Sequence, residues 1–432
     1  MAVIETPTFV TDRHRTDLPN PILPEFWVRP AGDIEADLAV LRAEGPVYLP
    51  EPESPEGIPL PQGQGGWVVT NHADILEMSR HPGVYSSASG ITIADMPMEF
   101  VEYFSSMIAM DDPRHARLRR IVSAGFTPRM LKRLEDSVQE LATQIVDDVI
   151  DRGECDFVVD VAAALPLKIV CDLMGVPDSQ LGFVFDRTNV ILGAGDPEYT
   201  PEGTDLFTAL LTAGQDLSQL MDEVAESKRG GDGTDLTSML VTADLEGDRL
   251  THGDLASFFI LLVVAGNETT RNAISWGLHH LTENPDQRDI WAADFEGVAP
   301  TAVEEIVRIS SPVAYMRRTA TEDTELHGKA IQAGDKLCMF YLAANRDEAV
   351  FDDPYRFDVR RSPNDHIGFG GPGPHFCLGA HLARREITVM FRELFQRVPD
   401  IQASGPPELL LSSFSHGVKH LPATFTPGGV RP

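Results

Sequence analysis

The chain has 432 residues, a mass of 47.4 kDa and a formal net charge of −31, a balance opposite to that of nucleic-acid-binding proteins. Its four cysteines show no C-x-x-C spacing, which argues against a zinc site and against a disulfide framework. The longest apolar run, FFILLVVAG, is too short to cross a bilayer, and the N-terminus lacks the basic start and apolar stretch of a signal peptide. We therefore expect a cytoplasmic protein that has no membrane anchor and binds no nucleic acid.

The first 310 residues change from irregular to helical sequence. Residues 1–25 are rich in proline and are predicted to be irregular. The stretches PVYL and GWVVT read as two short strands. From about residue 110 to 310 the spacing of apolar residues is mainly helical, and RMLKRLEDSVQELATQIVDDVI predicts an amphipathic helix.

The stretch from Thr251 to Pro285 predicts one long helix. Thr251 and Asp254 have the spacing of a capping box, which marks a helix start. The dipeptide Asn284–Pro285 marks its end, because the residue before a proline disfavours helical geometry. The segment FFILLVVAG is apolar on every side, so this part of the helix should be buried.

The sequence AGNETT interrupts the apolar part of this helix. Gly266 costs about 1 kcal/mol in a helix interior, and Glu268 places an acid in the buried region. One reading is that the helix emerges into solvent here, but apolar residues resume in AISWGL. We favour a local opening in the helix, where Gly266 makes room for a ligand and Glu268 and Thr269 handle protons or water.

The stretch PTAVEEIVRISSPV contains two adjacent glutamates in a helical pattern. Thr301 and Glu304 have capping-box spacing, so Glu304 is expected to serve a helix start. Glu305 and Arg308 stand three residues apart and can form an ion pair on one helix face. Taken alone, this spacing is typical of ordinary surface pairs.

Short β-type segments follow near residues 315–345, a helix returns after Cys377, and short extended pieces end the chain. The minor β part thus comes from both ends of a mainly α sequence, and no linker divides it. We therefore expect residues 1–432 to form a single domain.

Cys377 ends a glycine-rich loop just where a helix is predicted to begin. Free N–H groups and the helix dipole stabilise a thiolate at such a position. Four glycines within 368–373 let the backbone pass close to something flat, Phe369 can pack against it, and His375 can donate to an anion. A soft thiolate, a flat apolar partner and cationic surroundings suit a haem iron with its propionates. A buried inert cysteine and a nucleophile paired with His375 are the alternatives.

The loop GFGGPGPHFCLG resembles the haem-binding loop of cytochrome P450, the family of haem-thiolate monooxygenases. AGNETT resembles that family's oxygen-activation motif, and EIVR resembles its Glu-x-x-Arg pair. All three stand in the family's order, and the resemblance covers nearly the whole chain. It implies a mainly α fold, a helix-rich triangular prism with small β-sheets, in which haem lies between the long central helix and the cysteine loop. It also implies an enzyme that inserts one oxygen atom of O2 into a C–H bond of an apolar substrate.

The same resemblance assigns roles to single residues. Cys377 corresponds to the iron ligand, and Glu268 and Thr269 correspond to the acid and alcohol that deliver protons. Glu305 and Arg308 correspond to the pair that braces the proximal side of haem, together with the stretch NRDEAVFDDPYRFDVRR at 345–361. The residues implied to hold haem b are His115, Arg119, Arg318, Phe369, Gly370, His375, Cys377 and Gly379.

Longer strings narrow the resemblance to the actinobacterial group that hydroxylates methyl-branched lipids at the ω end. Sterol and cholestenone hydroxylases share parts of these strings, so a sterol or another bulky hydrophobic molecule is the alternative substrate. Resemblance and apolar character together give a candidate wall for the substrate pocket. Its members are Ile91, Ile93, Phe104, Ile108, Leu262, Val263, Gly266, Val313 and Phe414.

The resemblance further implies electrons from NAD(P)H, delivered through a ferredoxin reductase and a ferredoxin to a monomeric enzyme. Two basic stretches, 114–133 and 381–385, stand out against the acidic composition and would suit an acidic iron–sulfur partner. Two other classes stay open at this point. One is a peroxide-driven haem-thiolate enzyme without a redox partner, and the other is a haem-binding sensor or carrier without turnover.

Overall fold

The computed structural model describes residues 13–53, 62–123, 128–193, 195–229, 235–242, 244–245 and 248–429. Two predicted segments lie partly outside this set, namely residues 1–12 of the irregular N-terminus and residues 124–127 of the first basic stretch. Residues 13–23 contain turns but no helix longer than a turn, and a short 3-10 helix spans Pro24–Val28.

The described part of the chain is mainly helical. Its α-helices are α1 (Ala31–Glu44), α2 (His72–Arg80), α3 (Met98–Ser105), α4 (Arg114–Ser123), α5 (Pro128–Val149), α6 (Ala164–Met174), α7 (Leu181–Leu192), α8 (Leu206–Lys228), α9 (Leu236–Thr242), α10 (His252–Glu283), α11 (Pro285–Ala293), α12 (Phe295–Ser310), α13 (Tyr341–Ala344) and α14 (Ala380–Arg397). Its strands are β1 (Val47–Leu49), β2 (Gly66–Val69), β3 (Tyr85–Ser86), β4 (Glu154–Asp156), β5 (Asp244–Leu245), β6 (Asp248–Arg249), β7 (Tyr315–Ala320), β8 (Thr324–Leu326), β9 (Lys329–Ile331), β10 (Lys336–Phe340), β11 (Gln402–Ala403), β12 (Glu408–Leu409), β13 (Val418–His420) and β14 (Pro422–Thr424). None of the described helices is both long and apolar enough to cross a membrane.

A five-stranded sheet joins the two β-rich regions of the sequence. Its strand order is β1-β2-β10-β7-β3. The predicted strands PVYL and GWVVT correspond to β1 and β2, which pair antiparallel. On its other side β2 pairs with β10 in parallel, with Val68 opposite Cys338. Strands separated by more than 250 residues of mainly helical sequence therefore meet in one sheet, as the interleaved pattern predicts.

Helix α10 runs through the main hydrophobic core. The predicted capping box is present, since Thr251 accepts from the backbone N–H of Asp254 while the Asp254 carboxylate accepts from the Thr251 backbone. The helix ends at Asn284, before Pro285, as the sequence indicates. It packs against α3, α6, α8, α12 and α14, which explains why its N-terminal half is apolar on every side.

The predicted start of α12 at Thr301 is wrong. Asp294 caps this helix, accepting from the Gly297 N–H at 3.1 Å, and Pro300 lies inside the helix. Glu304 is therefore in mid-helix and accepts hydrogen bonds from Arg384 and His366. Burial raises the pKa of Glu304, but these two partners outweigh it and hold that pKa at about 2.

Candidate active site

The cysteine loop leads directly into the N-terminus of α14. The Cys377 N–H donates to the Phe369 carbonyl at 3.0 Å, which closes the loop, and Gly370 turns it with a φ of 85°. The N–H groups of Gly379 and Ala380 donate to the Cys377 sulfur. This is the arrangement expected for a thiolate at a helix N-terminus.

The glycines of this loop serve two different purposes. At Gly368, a Cβ would lie 2.7 Å from Val307, and at Gly373 it would lie 2.2 Å from the Ser79 carbonyl. These glycines allow close packing of the loop on protein rather than on a ligand. Gly379 has no protein atom within 4 Å of such a Cβ, and at Gly370 the nearest is the His375 carbonyl at 3.7 Å. Only these last two positions leave space for a bound group.

Cys377 lies at the wall of an internal space. Its side chain is accessible to solvent, yet protein surrounds it closely enough that burial raises the pKa of its thiol, against the opposing influence of two backbone N–H groups, Arg119 and Arg384. Both observations hold for a group that borders an enclosed cavity. A buried inert cysteine would not show this accessibility, so that alternative does not describe Cys377.

One stripe of α10 faces accessible space. Ala265 is exposed in the middle of a buried helix, and Leu262 and Thr269 are half-buried. These positions are three and four residues apart and therefore share a helix face. The Thr269 hydroxyl donates to the Ala265 carbonyl at 2.8 Å.

The structure shows a packing role for Gly266, and its predicted role of making room for a ligand stays a prediction. A Cβ at this position would lie 2.7 Å from Val170 of α6, so the missing side chain brings α6 and α10 together. Val263 has no accessible surface and lies in the main core, because it points away from the Leu262 stripe. Ala265 is the residue of AGNETT with the most accessible surface.

Glu268 is buried in a polar network rather than pointing freely into a cavity. It pairs with Arg271 one turn along α10, and it accepts from Asn272 at 2.8 Å and from Ser415 at 3.3 Å. Arg271 in turn donates to the Asn189 side chain of α7 at 3.0 Å. The acid is thus linked to α7 and to the C-terminal loop, while Thr269 faces the cavity.

Glu305 and Arg308 form a fully buried pair. Both have 0% exposure, and Arg308 Nε lies 2.7 Å from Glu305 Oε2. Glu305 also accepts from Arg361 at 3.1 Å, and Arg308 donates to the Asn345 carbonyl at 2.7 Å. The Asn345 side chain accepts the Ile367 N–H at 2.8 Å, so the pair is connected to the start of the cysteine loop.

Four nitrogen-bearing side chains gather at the cysteine loop, and of the four only His115 has a carboxylate within ion-pair distance among the described residues, Asp112 at 3.4 Å. Arg318 is 6% exposed, and among the described residues no carboxylate lies within ion-pair distance of it. The buried Nε2 atom of His115 lacks a hydrogen-bond partner, its ring lies 4.2 Å from that of His375, and Arg119 donates to the Phe376 carbonyl at 2.6 Å.

The pKa values of these four groups all shift in the same direction. Burial lowers the pKa of Arg318, of Arg119 and of His115. Burial together with the neighbouring cations lowers the pKa of His375 to about 3. Two partly or fully buried guanidinium cations without a carboxylate partner create a strong demand for negative charge, and a bound anion would also favour the protonated form of the two imidazoles. The two propionates of a haem would meet this demand, and the exposed sulfur and the space at Gly370 and Gly379 fit its iron and ring.

Phe369 belongs to the cysteine loop, and the guanidinium carbon of Arg384 on α14 lies 4.3 Å from the centroid of its ring. The remaining predicted wall residues fall into two groups. Ile91, Phe104, Ile108, Val313 and Phe414 are half-buried, as residues at a cavity edge would be. Ile93 is 6% exposed and packs in the core beside the sheet, where a Cβ at Gly66 would meet it at 2.9 Å.

Sequence reasoning missed several residues of this site. The Glu268–Arg271 spacing is the same i, i+3 spacing that identified Glu305 and Arg308, so this pair could have been found. Ala265 could have been found from its position four residues before Thr269. Asn345 and Arg361 are the first and last residues of the stretch NRDEAVFDDPYRFDVRR, which the resemblance implies as the partner of this pair, but local spacing alone does not single them out.

Comparisons with known proteins agree with this geometry. A family model described as Cytochrome P450 matches residues 202–290 and 298–399. The methyl-branched lipid omega-hydroxylase of Mycobacterium tuberculosis strain H37Rv is 48% identical over 406 residues, 93% of either chain. The steroid C26-monooxygenase of Mycolicibacterium smegmatis is 37% identical over 404 residues, 91% of either chain.

A solved structure extends the comparison to three dimensions. A cytochrome P450 of Mycobacterium marinum in complex with pseudoionone matches with a TM-score of 0.89 and 42% identity, over 93% of this chain and 97% of that chain. The predicted mainly α fold with small sheets is therefore confirmed. The chain belongs to the cytochrome P450 family and is a monooxygenase that uses haem iron, O2 and electrons from redox partners.

Proposed function

We propose that this enzyme hydroxylates the terminal carbon of a methyl-branched lipid chain. The observation that carries the proposal is the 48% identity, over 93% of the chain, to a relative named methyl-branched lipid omega-hydroxylase. The half-buried apolar residues around the α10 stripe support an apolar substrate. A terminal C–H bond is stronger than those at a branch point, so the pocket has to present the chain end to the reactive centre.

The bound haem would activate O2 for insertion of one oxygen atom into a C–H bond, with Cys377 as its thiolate ligand. Arg318, Arg119, His115 and His375 would bind its propionates. Thr269 holds a hydroxyl proton at the cavity face of α10. Glu268 is the acid from which protons would reach this face, after exchange of its bond to Arg271 for water.

The proposal also includes the type of haem and the source of the electrons. The cofactor is haem b, and electrons come from NAD(P)H through a ferredoxin reductase and a ferredoxin. Support comes from the exposed Arg120 on α4, which borders an open groove of about 370 Å³ beside Gly373 and Pro374. A monomeric state and a cytoplasmic location remain predictions from the sequence.

A sterol is the second candidate substrate. Its support is the 37% identity to a relative named steroid C26-monooxygenase over 91% of the chain. A steroid side chain also ends in a methyl branch, so both candidates offer the enzyme a similar chain end.

The test uses a matched pair of fatty acids, one with a terminal methyl branch and one straight, together with a sterol. Binding is measured by the haem spectral shift, and products of turnover with ferredoxin, reductase and NADPH are identified by mass spectrometry. Tighter binding of the branched acid and a terminal alcohol as the main product are expected. Hydroxylation mainly at internal carbons, or product from the sterol alone, would refute the lipid proposal.

A further inference from the structure

Gly214 of α8 lies against two aromatic rings of α3. Gly214 is buried, and a Cβ at this position would lie 2.7 Å from Tyr103 Cε1 and 2.8 Å from Phe104 Cζ. Contacts this short essentially do not occur for real Cβ atoms. Any side chain at position 214 would therefore have to displace both rings, by amounts that depend on how firmly each ring is held.

The two rings differ in how firmly they are held. The Tyr103 hydroxyl is hydrogen bonded to Ser218, one turn further along α8. Phe104 is a hydrocarbon ring that packs at the edge of the main core, 5.1 Å from the Tyr103 ring and 4.5 Å from the Phe100 ring, and it has no hydrogen bond to hold it. Of the two rings, Phe104 is therefore the one that can move further when space beside α8 is lost.

Contacts of α3 with α10 and α8 restrict the direction in which the Phe104 ring can move. The Ser257 hydroxyl of α10 donates to the Glu102 carbonyl at 2.6 Å, which ties α3 to α10. Phe100 stacks on Phe207 of α8 at 5.4 Å and blocks movement along that side. A ring pushed away from Gly214 moves into the remaining space between α3 and α10. The accessible stripe of α10 begins at Leu262, five residues beyond Ser257, so this space adjoins the stripe.

We propose that Gly214 is a positioning residue that sets the width of the substrate cavity by letting the Phe104 ring rest against α8. The inference rests on the proposed function, since it concerns how a branched chain end is accommodated. Gly214 itself would not touch the substrate. A branched end needs more width than a straight one, so it would be the first to lose contacts when the ring moves inward.

The expected effect follows from the size of a methyl group. Burial of one methyl group is worth about fourfold in affinity. In Gly214→Ala the displaced ring would occupy the space that holds the methyl branch, so binding of a branched fatty acid should weaken by about fourfold or more. Binding of the straight acid of equal length should change little.

The experiment compares holoenzymes by spectral titration with the matched pair of fatty acids. The variants are Gly214→Ala, the double variant Gly214→Ala with Phe104→Leu, and Gly182→Ala. Gly182 on α7 has no protein atom within 4 Å of an added Cβ, which makes it a matched control. We expect selective loss of branched-acid affinity in Gly214→Ala, recovery in the double variant, and wild-type affinities in Gly182→Ala.

Equal changes for both acids in Gly214→Ala, or no recovery in the double variant, would overturn the inference. Phe104→Leu alone covers the case in which Gly214→Ala does not fold, since it should relax the preference between the acids, and an unchanged ratio of affinities would also refute the idea. If the wild-type enzyme binds neither acid, the lipid proposal fails by itself. The role of Gly214 is then judged with two sterols that differ by one side-chain methyl group.

Discussion

At the scale of single residues, the cation cluster beside the cysteine loop gives the first prediction. Replacement of Arg318 by Leu should greatly accelerate loss of haem, because a propionate would be left without its buried partner, at a cost of about 3–5 kcal/mol. The measurement is haem occupancy over time in the presence of apomyoglobin as an acceptor.

Arg317 offers a matched control for this change. Arg317 is the preceding residue on β7 and is similarly buried, but it pairs with Asp95 at 2.8 Å instead of facing the cluster. Arg317→Leu should lower the melting temperature without accelerating haem loss. Similar haem loss in both variants would remove Arg318 from the propionate site.

The second residue-scale prediction concerns Thr269. Thr269→Ala should keep substrate affinity but divert reducing equivalents to hydrogen peroxide, since the hydroxyl on the cavity face of α10 is lost. Thr269→Ser retains the hydroxyl and should restore coupling. The ratio of product to NADPH consumed measures this, and unchanged coupling in the alanine variant would exclude the hydroxyl from proton delivery.

At the scale of elements, the contact between α10 and α14 contains a buried acid. Glu386 of α14 is 2% exposed, and burial raises its pKa to about 8, opposed only by a hydrogen bond with Thr270 of α10. The unfolded chain releases this proton near the ordinary value for Glu, whereas the folded chain retains it up to about pH 8. The free energy of unfolding therefore decreases as the pH rises from the ordinary pKa of Glu to about 8, because only the folded chain still holds the proton in this range.

Glu386→Gln should remove this dependence and raise the melting temperature at pH 8 relative to wild type, with little change at pH 5. The maximum slope from one proton is about 1.4 kcal/mol per pH unit. Glu393→Gln is the control on the same helix, because Glu393 accepts from Gln139 at 2.6 Å and has a nearby Arg397. A wild-type pH profile retained in Glu386→Gln would show that the carboxyl is ionised in the folded protein.

The elements also show what sequence alone can predict. The capping box of α10 was predictable because both partners lie within four residues of each other. The start of α12 was misassigned because Pro300–Thr301 imitates a helix start, while Asp294 is the cap. The close packing of Gly266 on Val170 had no local signal, because Val170 lies nearly a hundred residues away in the chain. Local spacing thus predicted the motifs, whereas contacts between distant segments were visible only in the fold.

At the scale of the whole molecule, charge should govern encounters with the redox partner. The formal charge is −31, yet α4 presents Arg120 beside the groove next to the cysteine loop. Arg120→Glu should raise the KM for an acidic ferredoxin by about tenfold at low ionic strength, and the difference should shrink in high salt. Arg152→Glu, at an exposed arginine paired with Asp160 elsewhere, should leave this KM unchanged. Salt-independent turnover in wild type would count against electrostatic docking on α4.

The buried pair of Glu305 and Arg308 has a consequence for how the cofactor enters. Hydrogen bonds within the protein link this pair to Asn345 and, through the Asn345 side chain, to Ile367 at the start of the cysteine loop. We therefore expect this end of the loop to keep its shape without the cofactor, so that haem association does not have to order the chain. The heat-capacity change of haem uptake should then reflect only the apolar surface of the porphyrin and its cavity, and a titration calorimeter would detect any larger value as coupled folding.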